Sequence, residues 1–415
     1  MRKVPLLLGV FLILCSSFSF GQLREHVALV EPVFHQDIRK GFSEWADYFE
    51  DLGSERWERF FRWYAGEFGV RGYGSGWVYV GDDEVPYVVT NRHVVRQASA
   101  AKVVFEDLEG ERRVFHPVRI VYVDEEMDLA VLQLPASSFD TGFPLGERRV
   151  TDGTTVFAVG YPGFRDMPLW QFSMGIVSNA AARIDPAYTY LLQHTAPIDP
   201  GNSGGPLLVA APESPLGYKV VGVNVSKANE RQNTSFAIPA FHVSEVLARA
   251  ELALDLEDDP DGLVEALEDE AQALAGVLAS PETTRREIGR FVSYAFVGDR
   301  GFQSYLDVLA LVANDSDWVY SFVSSPIETM RASINTRFLY DLQQVADRST
   351  IHFRAINDED RRNISKLTDI RTTYAVGDKS TEVIWIREYG HWRVKHASAR
   401  KLVDVERLKE RYRRR

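Results

Sequence analysis

Cysteine is almost missing from this chain of 415 residues: Cys15 is the only one. A disulfide framework is therefore excluded, and with it the small secreted scaffolds that depend on one. Long apolar runs are missing too. The longest stands at residues 4–14, behind Arg2 and Lys3, and is too short to span a bilayer comfortably. Ser19-Phe20-Gly21 follows with small residues, so residues 1–21 read as a secretory signal peptide with Gln22 as the first mature residue. An uncleaved anchor is the alternative reading. Leu12-Ile13-Leu14 before Cys15 puts no small residue next to the cysteine, which argues against a lipoprotein site. A basic excess is also absent. The formal net charge is −12, and loss of Arg2 and Lys3 takes it to −14, which argues against general nucleic-acid binding. The basic run Arg407–Arg415 reads as a solvated helix terminus, with an anionic-surface contact as the alternative. His26, His35, His116, His194, His242, His352, His391 and His396 show no paired metal spacing, so no metal and no organic cofactor is expected. No repeat or low-complexity tract is evident.

What is present is a composition with 45% hydrophobic residues, enough for a substantial core and for two or three domains. Residues 22–66 are expected to form an N-terminal helical segment. Phe42, Trp45, Tyr48 and Phe49 recur there at helical spacing, as do Trp57, Phe60, Phe61 and Tyr64. From Phe68 to Pro239 the pattern turns to short β-prone runs with Gly and Pro punctuation. Runs centred on residues 78–80, 87–89, 101–105, 118–123, 130–134, 155–159, 175–177, 189–193, 206–209 and 219–225 suit two antiparallel β-barrels. A closing helix is expected at 241–254, so one domain spans 67–254. The acidic run 255–262, with Pro260 and Gly262, reads as a linker. Beyond it, helices at 263–279, 283–297, 302–313 and 326–346 and strands at 351–355, 370–376, 381–388 and 391–396 make 263–415 a C-terminal α+β domain. Tyr389-Gly390 is placed to turn the last two strands into a hairpin. Trp385 and Trp392 read as the core of a curved sheet rather than the lining of a ligand pocket.

The most informative stretch is His194-Thr195-Ala196-Pro197-Ile198-Asp199-Pro200-Gly201-Asn202-Ser203-Gly204-Gly205-Pro206. A serine among glycines sits on a tight turn, and the N–H groups of Gly201 and Ser203 can be turned toward one small cavity. Such donors suit the developing negative oxygen of acyl transfer, which makes Ser203 a candidate nucleophile. A serine needs a base, and the base an orienting carboxylate. His93 ends the apolar run Tyr87-Val88-Val89-Thr90-Asn91, and Asp128 opens Leu129-Ala130-Val131-Leu132 after an acidic loop. The order His, Asp, Ser is that of the chymotrypsin fold, not of subtilisins or α/β-hydrolases.

With those residues in order, the chain resembles trypsin-like peptidases of the HtrA/DegP type. The blocks are Gly74-Ser75-Gly76-Trp77-Val78, Thr90-Asn91-Arg92-His93-Val94-Val95, Asp128 to Leu132, Val159-Gly160-Tyr161-Pro162-Gly163 and Gly175-Ile176-Val177-Ser178. Pro200 to Leu207, Val221-Gly222-Val223-Asn224 and Phe236-Ala237-Ile238-Pro239 complete them. The resemblance covers residues 67 to 250. It implies a mainly β fold of two barrels with His93, Asp128 and Ser203 in the cleft between them, and Gly201 and Ser203 as oxyanion donors. It also implies a primary pocket floored by Pro197 and Ile198 and walled by Val225 and Ser226. No acid stands at those positions, so a small or medium apolar side chain is expected to fit. Asp199 stands where the family often has an amide, and is expected to face away from the pocket. No PDZ-type carboxylate-binding loop is evident after residue 250. Trp57 to Tyr64 resembles the aromatic stretch through which such peptidases form trimers.

These readings point to a secreted or periplasmic serine endopeptidase of the bacterial envelope that cuts unfolded or misfolded polypeptides. The lack of disulfides agrees with a bacterial envelope. The alternative is a latent or inactive peptidase-fold scaffold that binds envelope partners through its C-terminal domain.

Overall fold

The computed structural model describes residues 22–34, 43, 46–47, 49–51, 53, 55–67, 72–81, 84–95, 98–124, 126–146, 150–164, 167–183, 190–227, 233–293, 339, 348, 351–377 and 379–397. These fall into two compact units, one drawn from residues 1–33 and 71–252, the other from 34–70 and 253–415.

The first unit is a pair of closed antiparallel barrels. β1 (Val27–Phe34), β2 (Gly74–Val80), β3 (Pro86–Asn91), β4 (Ala98–Glu106), β5 (Arg112–Asp124) and β6 (Leu129–Gln133) close in the order β1-β2-β3-β6-β5-β4. β7 (Thr155–Gly160) precedes a short ribbon of β8 (Gly163–Phe164) and β9 (Met167–Pro168). With β10 (Gln171–Ala182), β11 (Leu191–His194), β12 (Pro206–Ala210), β13 (Tyr218–Lys227) and β14 (Ser235–Pro239), β7 closes the second barrel in the order β10-β11-β14-β13-β12-β7. β-Branched residues dominate the central strands, and β3 is buried along its whole length. The two expected barrels are thus observed. The helix Ala240–Asp255 follows β14.

One element departs from the expectation. Residues 27–34 lie in the expected N-terminal helical segment, yet β1 is a strand of barrel one, in register with β2 from Val27↔Trp77 to Val30↔Gly74. Its apolar run is short, and its partner lies more than forty residues away, so local pattern does not reveal the pairing. The helix that does form nearby is Glu55–Glu67, in the second unit. There Phe61 stacks on Phe49 at 5.4 Å and meets Phe60 edge-on. Phe42, Trp45, Tyr48 and the Tyr64 side chain lie outside the described residues.

Further along the second unit, the expected linker is nearly all helix. A 3-10 turn (Leu256–Asp258) leads through Asp259 into the helix Pro260–Ala279, with Pro260 at its first turn. Seven apolar side chains of that helix, from Leu263 to Leu278, face a sheet of β15 (Ile351–Ile356), β16 (Thr368–Val376), β17 (Lys379–Glu388) and β18 (His391–Ala397). Tyr389 and Gly390, both at positive φ, make the tight turn expected between β17 and β18. Trp385 and Trp392 are 0% and 2% exposed and lie in this core. The Trp385 indole donates to Thr372 Oγ1 at 2.7 Å, and the Tyr374 hydroxyl ties β16 to the helix carbonyl of Ala271 at 3.0 Å. The helices expected at 302–313 and 326–346 fall outside the described residues, apart from Leu339.

Candidate active site

The first half of the site is built at one end of barrel one. β3 ends at Asn91 and passes into a single helical turn, Arg92–Val95, which carries His93. Asp128 sits just before β6, at φ 53°, a left-handed conformation that aspartate tolerates better than most residues. Its two ends are both held. Asn91 Nδ2 and Arg92 N donate to its carbonyl, each at 3.0 Å. Its Oδ1 accepts from His93 N at 2.9 Å, and its Oδ2 lies 2.7 Å from His93 Nδ1. The bond to Nδ1 leaves Nε2 as the outward nitrogen of a half-exposed imidazole. The approach to Asp128 is organised by Asp124, whose Oδ1 accepts from Glu126 N and Met127 N and whose Oδ2 accepts from Arg249 at 2.7 Å. The sequence reading missed Asp124. Its only local signal is the spacing of an aspartate two and three residues ahead of the N–H groups it binds.

The second half is the turn between β11 and β12 of barrel two. Four successive carbonyls in it are held by donors from outside the peptide units they belong to. Pro200 O accepts from Gly163 N (2.9 Å), Gly201 O from Ser75 Oγ (2.7 Å), Asn202 O from Gly205 N (2.9 Å) and Ser203 O from Ser75 N (2.7 Å). A trans peptide is planar, so each fixed carbonyl also fixes the direction of the following N–H. Asn202 N then donates to Asp199 O and Gly204 N to Asn224 O, whereas no acceptor among the described residues takes the N–H of Gly201 or Ser203. Buried backbone donors are nearly always paired, and these two sit on half-buried residues within reach of a ligand. They stand one residue apart, beside the candidate nucleophile. The shape needs glycine. Gly201 and Gly204 have φ of 106° and 85°, and a Cβ at Gly204 would overlap the Ser75 carbonyl and the Thr90 hydroxyl.

The two halves meet. Gly204 packs against Ser75, Thr90 and Asn91 N, so the turn abuts the end of β3, two residues ahead of His93. The Ser203 hydroxyl itself donates to the Val225 carbonyl at 3.2 Å and not to His93. Val225 thus touches Ser203 through its backbone. Ser226 pairs with Phe236 in the β13–β14 ladder, and its side chain lies outside the described residues. Pro197 is exposed, and its carbonyl accepts from Ser173 Oγ at 2.7 Å. Ile198 is 7% exposed and packs in the core of barrel two with Val177, Leu207 and Val221. Asp199 is exposed.

Beneath the turn lie two buried polar side chains that sequence reasoning did not single out. Asn224 donates through Nδ2 to the carbonyls of Gly205 and Pro206, both at 3.1 Å. His194 is 0% exposed, and neither of its ring nitrogens has a partner in good geometry. Burial pushes its pKa down to about 4, opposed by the Asn224 amide beside it, so the imidazole is neutral near pH 7. Burial also pushes the Tyr161 hydroxyl above its ordinary value. Among the described residues no group of three or more His, Cys, Asp or Glu side chains could hold a metal ion.

A six-stranded barrel pair with histidine and aspartate on one barrel and a glycine-framed serine on the other defines a chymotrypsin-fold peptidase domain. The comparisons agree: residues 74–213 match the family described as trypsin-like peptidase domain. Two Do-like serine proteases of Bacillus subtilis are similar. HtrA is 31% identical over 215 residues, 47% of this chain and 45% of that protein. HtrB is 32% identical over 186 residues, 42% of this chain and 37% of that protein. The crystal structure of a serine endoprotease from Yersinia pestis aligns with 22% identity and a TM-score of 0.38, covering 60% of this chain and 68% of that one. Over this domain the chain is similar to trypsin-like serine peptidases of the HtrA type, and the match spans less than half the length of these curated relatives.

Proposed function

We propose that the protein is a serine endopeptidase in which Ser203 is the nucleophile, His93 the general base and Asp128 the carboxylate that orients it. Ser203 Oγ attacks a peptide carbonyl, and His93 takes the hydroxyl proton and returns it to the leaving amine. Asp128 fixes the imidazole tautomer and stabilises its cationic form. The N–H groups of Gly201 and Ser203 receive the oxyanion. One such donor is worth on the order of 3 kcal/mol of transition-state stabilisation. The observation that carries this reading is the pair of N–H groups, without an acceptor among the described residues, on a turn whose four carbonyls from Pro200 to Ser203 are held.

The finer reading follows from the site and the relatives. Pro197 and Val225, backed by the buried Ile198, and Ser226 form the primary pocket. None is an acid, so a small or medium apolar residue precedes the cut bond. The substrates are unfolded or misfolded polypeptides, met outside the cytoplasm behind a cleaved signal peptide. The relatives' names carry the serine protease activity, and the absence of cysteine after residue 15 agrees with a bacterial envelope. Trimers would form through the aromatic helix Glu55–Glu67. A second reading, a latent enzyme, has one specific observation in its favour: the Ser203 hydroxyl is given to Val225 rather than to His93. Hydrolysis of peptides with valine, alanine, leucine, lysine or arginine before the cut bond tests both readings. Cleavage after the apolar residues, absent in Ser203→Ala, supports the enzyme. No cleavage by folded wild-type protein supports latency, and cleavage after lysine or arginine overturns the pocket.

A further inference from the structure

We propose that Ser75 is the positioning residue that aims the oxyanion donors, reaching from barrel one into the nucleophile turn of barrel two. The inference rests on the reading of Ser203 and Gly201 given above and goes beyond it, since neither the triad nor the pocket uses Ser75. Three of its groups make four hydrogen bonds at once. Its N–H holds the Ser203 carbonyl at 2.7 Å, and its hydroxyl donates to the Gly201 carbonyl at 2.7 Å. The same hydroxyl accepts from Tyr161 N at 2.8 Å, and its carbonyl accepts from Thr90 Oγ1 at 2.7 Å. The hydroxyl is therefore fully used as donor and has a defined direction. The two carbonyls it holds share their peptide planes with the N–H groups of Asn202 and Gly204, and these two planes lie on either side of the plane that carries the Ser203 N–H, so a rotation of either would swing that donor through the Asn202 or Ser203 Cα.

The surroundings leave no other place for this side chain. Ser75 is fully buried, and a Cβ on Gly160, Gly204 or Gly205 would crowd its hydroxyl, carbonyl or Cβ respectively. Three glycines from two elements thus shape a cage for one serine. The hydroxyl also joins the turn to Tyr161. The ribbon after Tyr161 contributes Gly163 N, which holds the Pro200 carbonyl and so directs the Gly201 N–H. Ser75 acts through these backbone groups and touches no substrate atom.

Ser75→Ala removes only the hydroxyl and adds no volume to the cage. Its test uses the wild-type chain, Ser75→Ala, Thr90→Val and Ser203→Ala. The expected results for Ser75→Ala are a fall in kcat of tenfold or more on an apolar peptide with KM within twofold, and a matching fall in the rate of fluorophosphonate labelling. Amide exchange at Tyr161 rises, because its N–H has lost its acceptor. Thr90→Val removes a hydroxyl at the same seam but leaves the Ser75 hydroxyl bonds in place, and labels within twofold of wild type at a lower melting temperature. Ser75→Ala that melts lower yet keeps its kcat would reduce Ser75 to a packing residue and overturn the proposal. So would unchanged exchange at Tyr161. If the wild-type protein neither labels nor cleaves, the endopeptidase reading fails, and the exchange measurement still decides whether Ser75 holds the turn.

Discussion

The two barrels carry their halves of the site in opposite states of completion. On barrel one the carboxylate beside His93 is fully engaged: Asp128 uses both carboxylate oxygens on His93 and its carbonyl on Asn91 and Arg92. On barrel two the polar groups are left open. Among the described residues the Gly201 and Ser203 N–H groups have no acceptor, the Ser203 hydroxyl rests on Val225, and His194 and Asn224 Oδ1 are buried without good partners. Burying unpaired polar atoms costs stability, commonly about 1–3 kcal/mol for each. Such groups persist where function requires them, and a substrate carbonyl is the natural acceptor for the two N–H groups. On the proposed reading His93 is held ready as the base, and the Ser203 turn is completed by substrate.

The largest effects come from removing one member of each half. Ser203→Ala should lower kcat by about 10⁴-fold or more, and Asp128→Asn by about 10⁴-fold through loss of the correct histidine tautomer, both read by peptide hydrolysis. Equal, mild losses would mean that the two halves do not work as one unit. Next comes Gly204→Ala. A side chain at φ 85° that overlaps Ser75 and Thr90 should destabilise the barrel unit by about 3 kcal/mol or more, seen as a lower denaturant midpoint. An unchanged midpoint would show that the seam between turn and β3 is slack.

A pH effect of similar size belongs mainly to barrel two. The folded protein keeps His194 neutral down to a pKa of about 4, whereas the unfolded chain protonates it near 6.5. Unfolding therefore takes up a proton between these values. Stability from this group is complete above about pH 6.5, falls as pH drops toward 4 and falls no further below, by about 3 kcal/mol in all. His26, whose pKa burial also lowers, adds in the same direction. Denaturant midpoints from pH 4 to 8 should slope in the wild type and flatten in His194→Leu. The smallest effect is Arg249→Ala. It removes one bond from Asp124, and because the arginine is more than half exposed the cost should be about 1 kcal/mol. A loss above about 3 kcal/mol would show that the Asp128 approach depends on this ion pair far more than its exposure suggests.

The sequence disclosed the barrels because their strands are short β-branched runs closed by glycine and proline, and it singled out His93, Asp128 and Ser203 as candidates because each sits in a distinctive local block. What it hid is long-range. β1 is a plain apolar run until β2 pairs with it. Ser75 reads as a strand residue between two glycines, and its partner Gly201 lies 126 residues on. His194 looked like a surface or structural histidine, and only the closed barrel buries it fully. The acidic run 255–262 suggested a flexible break, but Pro260 is well suited to a first helical turn, so the chain merely changes direction at Asp259.

The most direct test of the central claim is to treat the purified protein with a fluorophosphonate and locate the adduct by peptide mass spectrometry. The account predicts one phosphonylated residue, Ser203, with labelling that depends on pH through a single base and is lost in His93→Ala. An adduct on any other residue, or equal labelling of the His93→Ala protein, would contradict it.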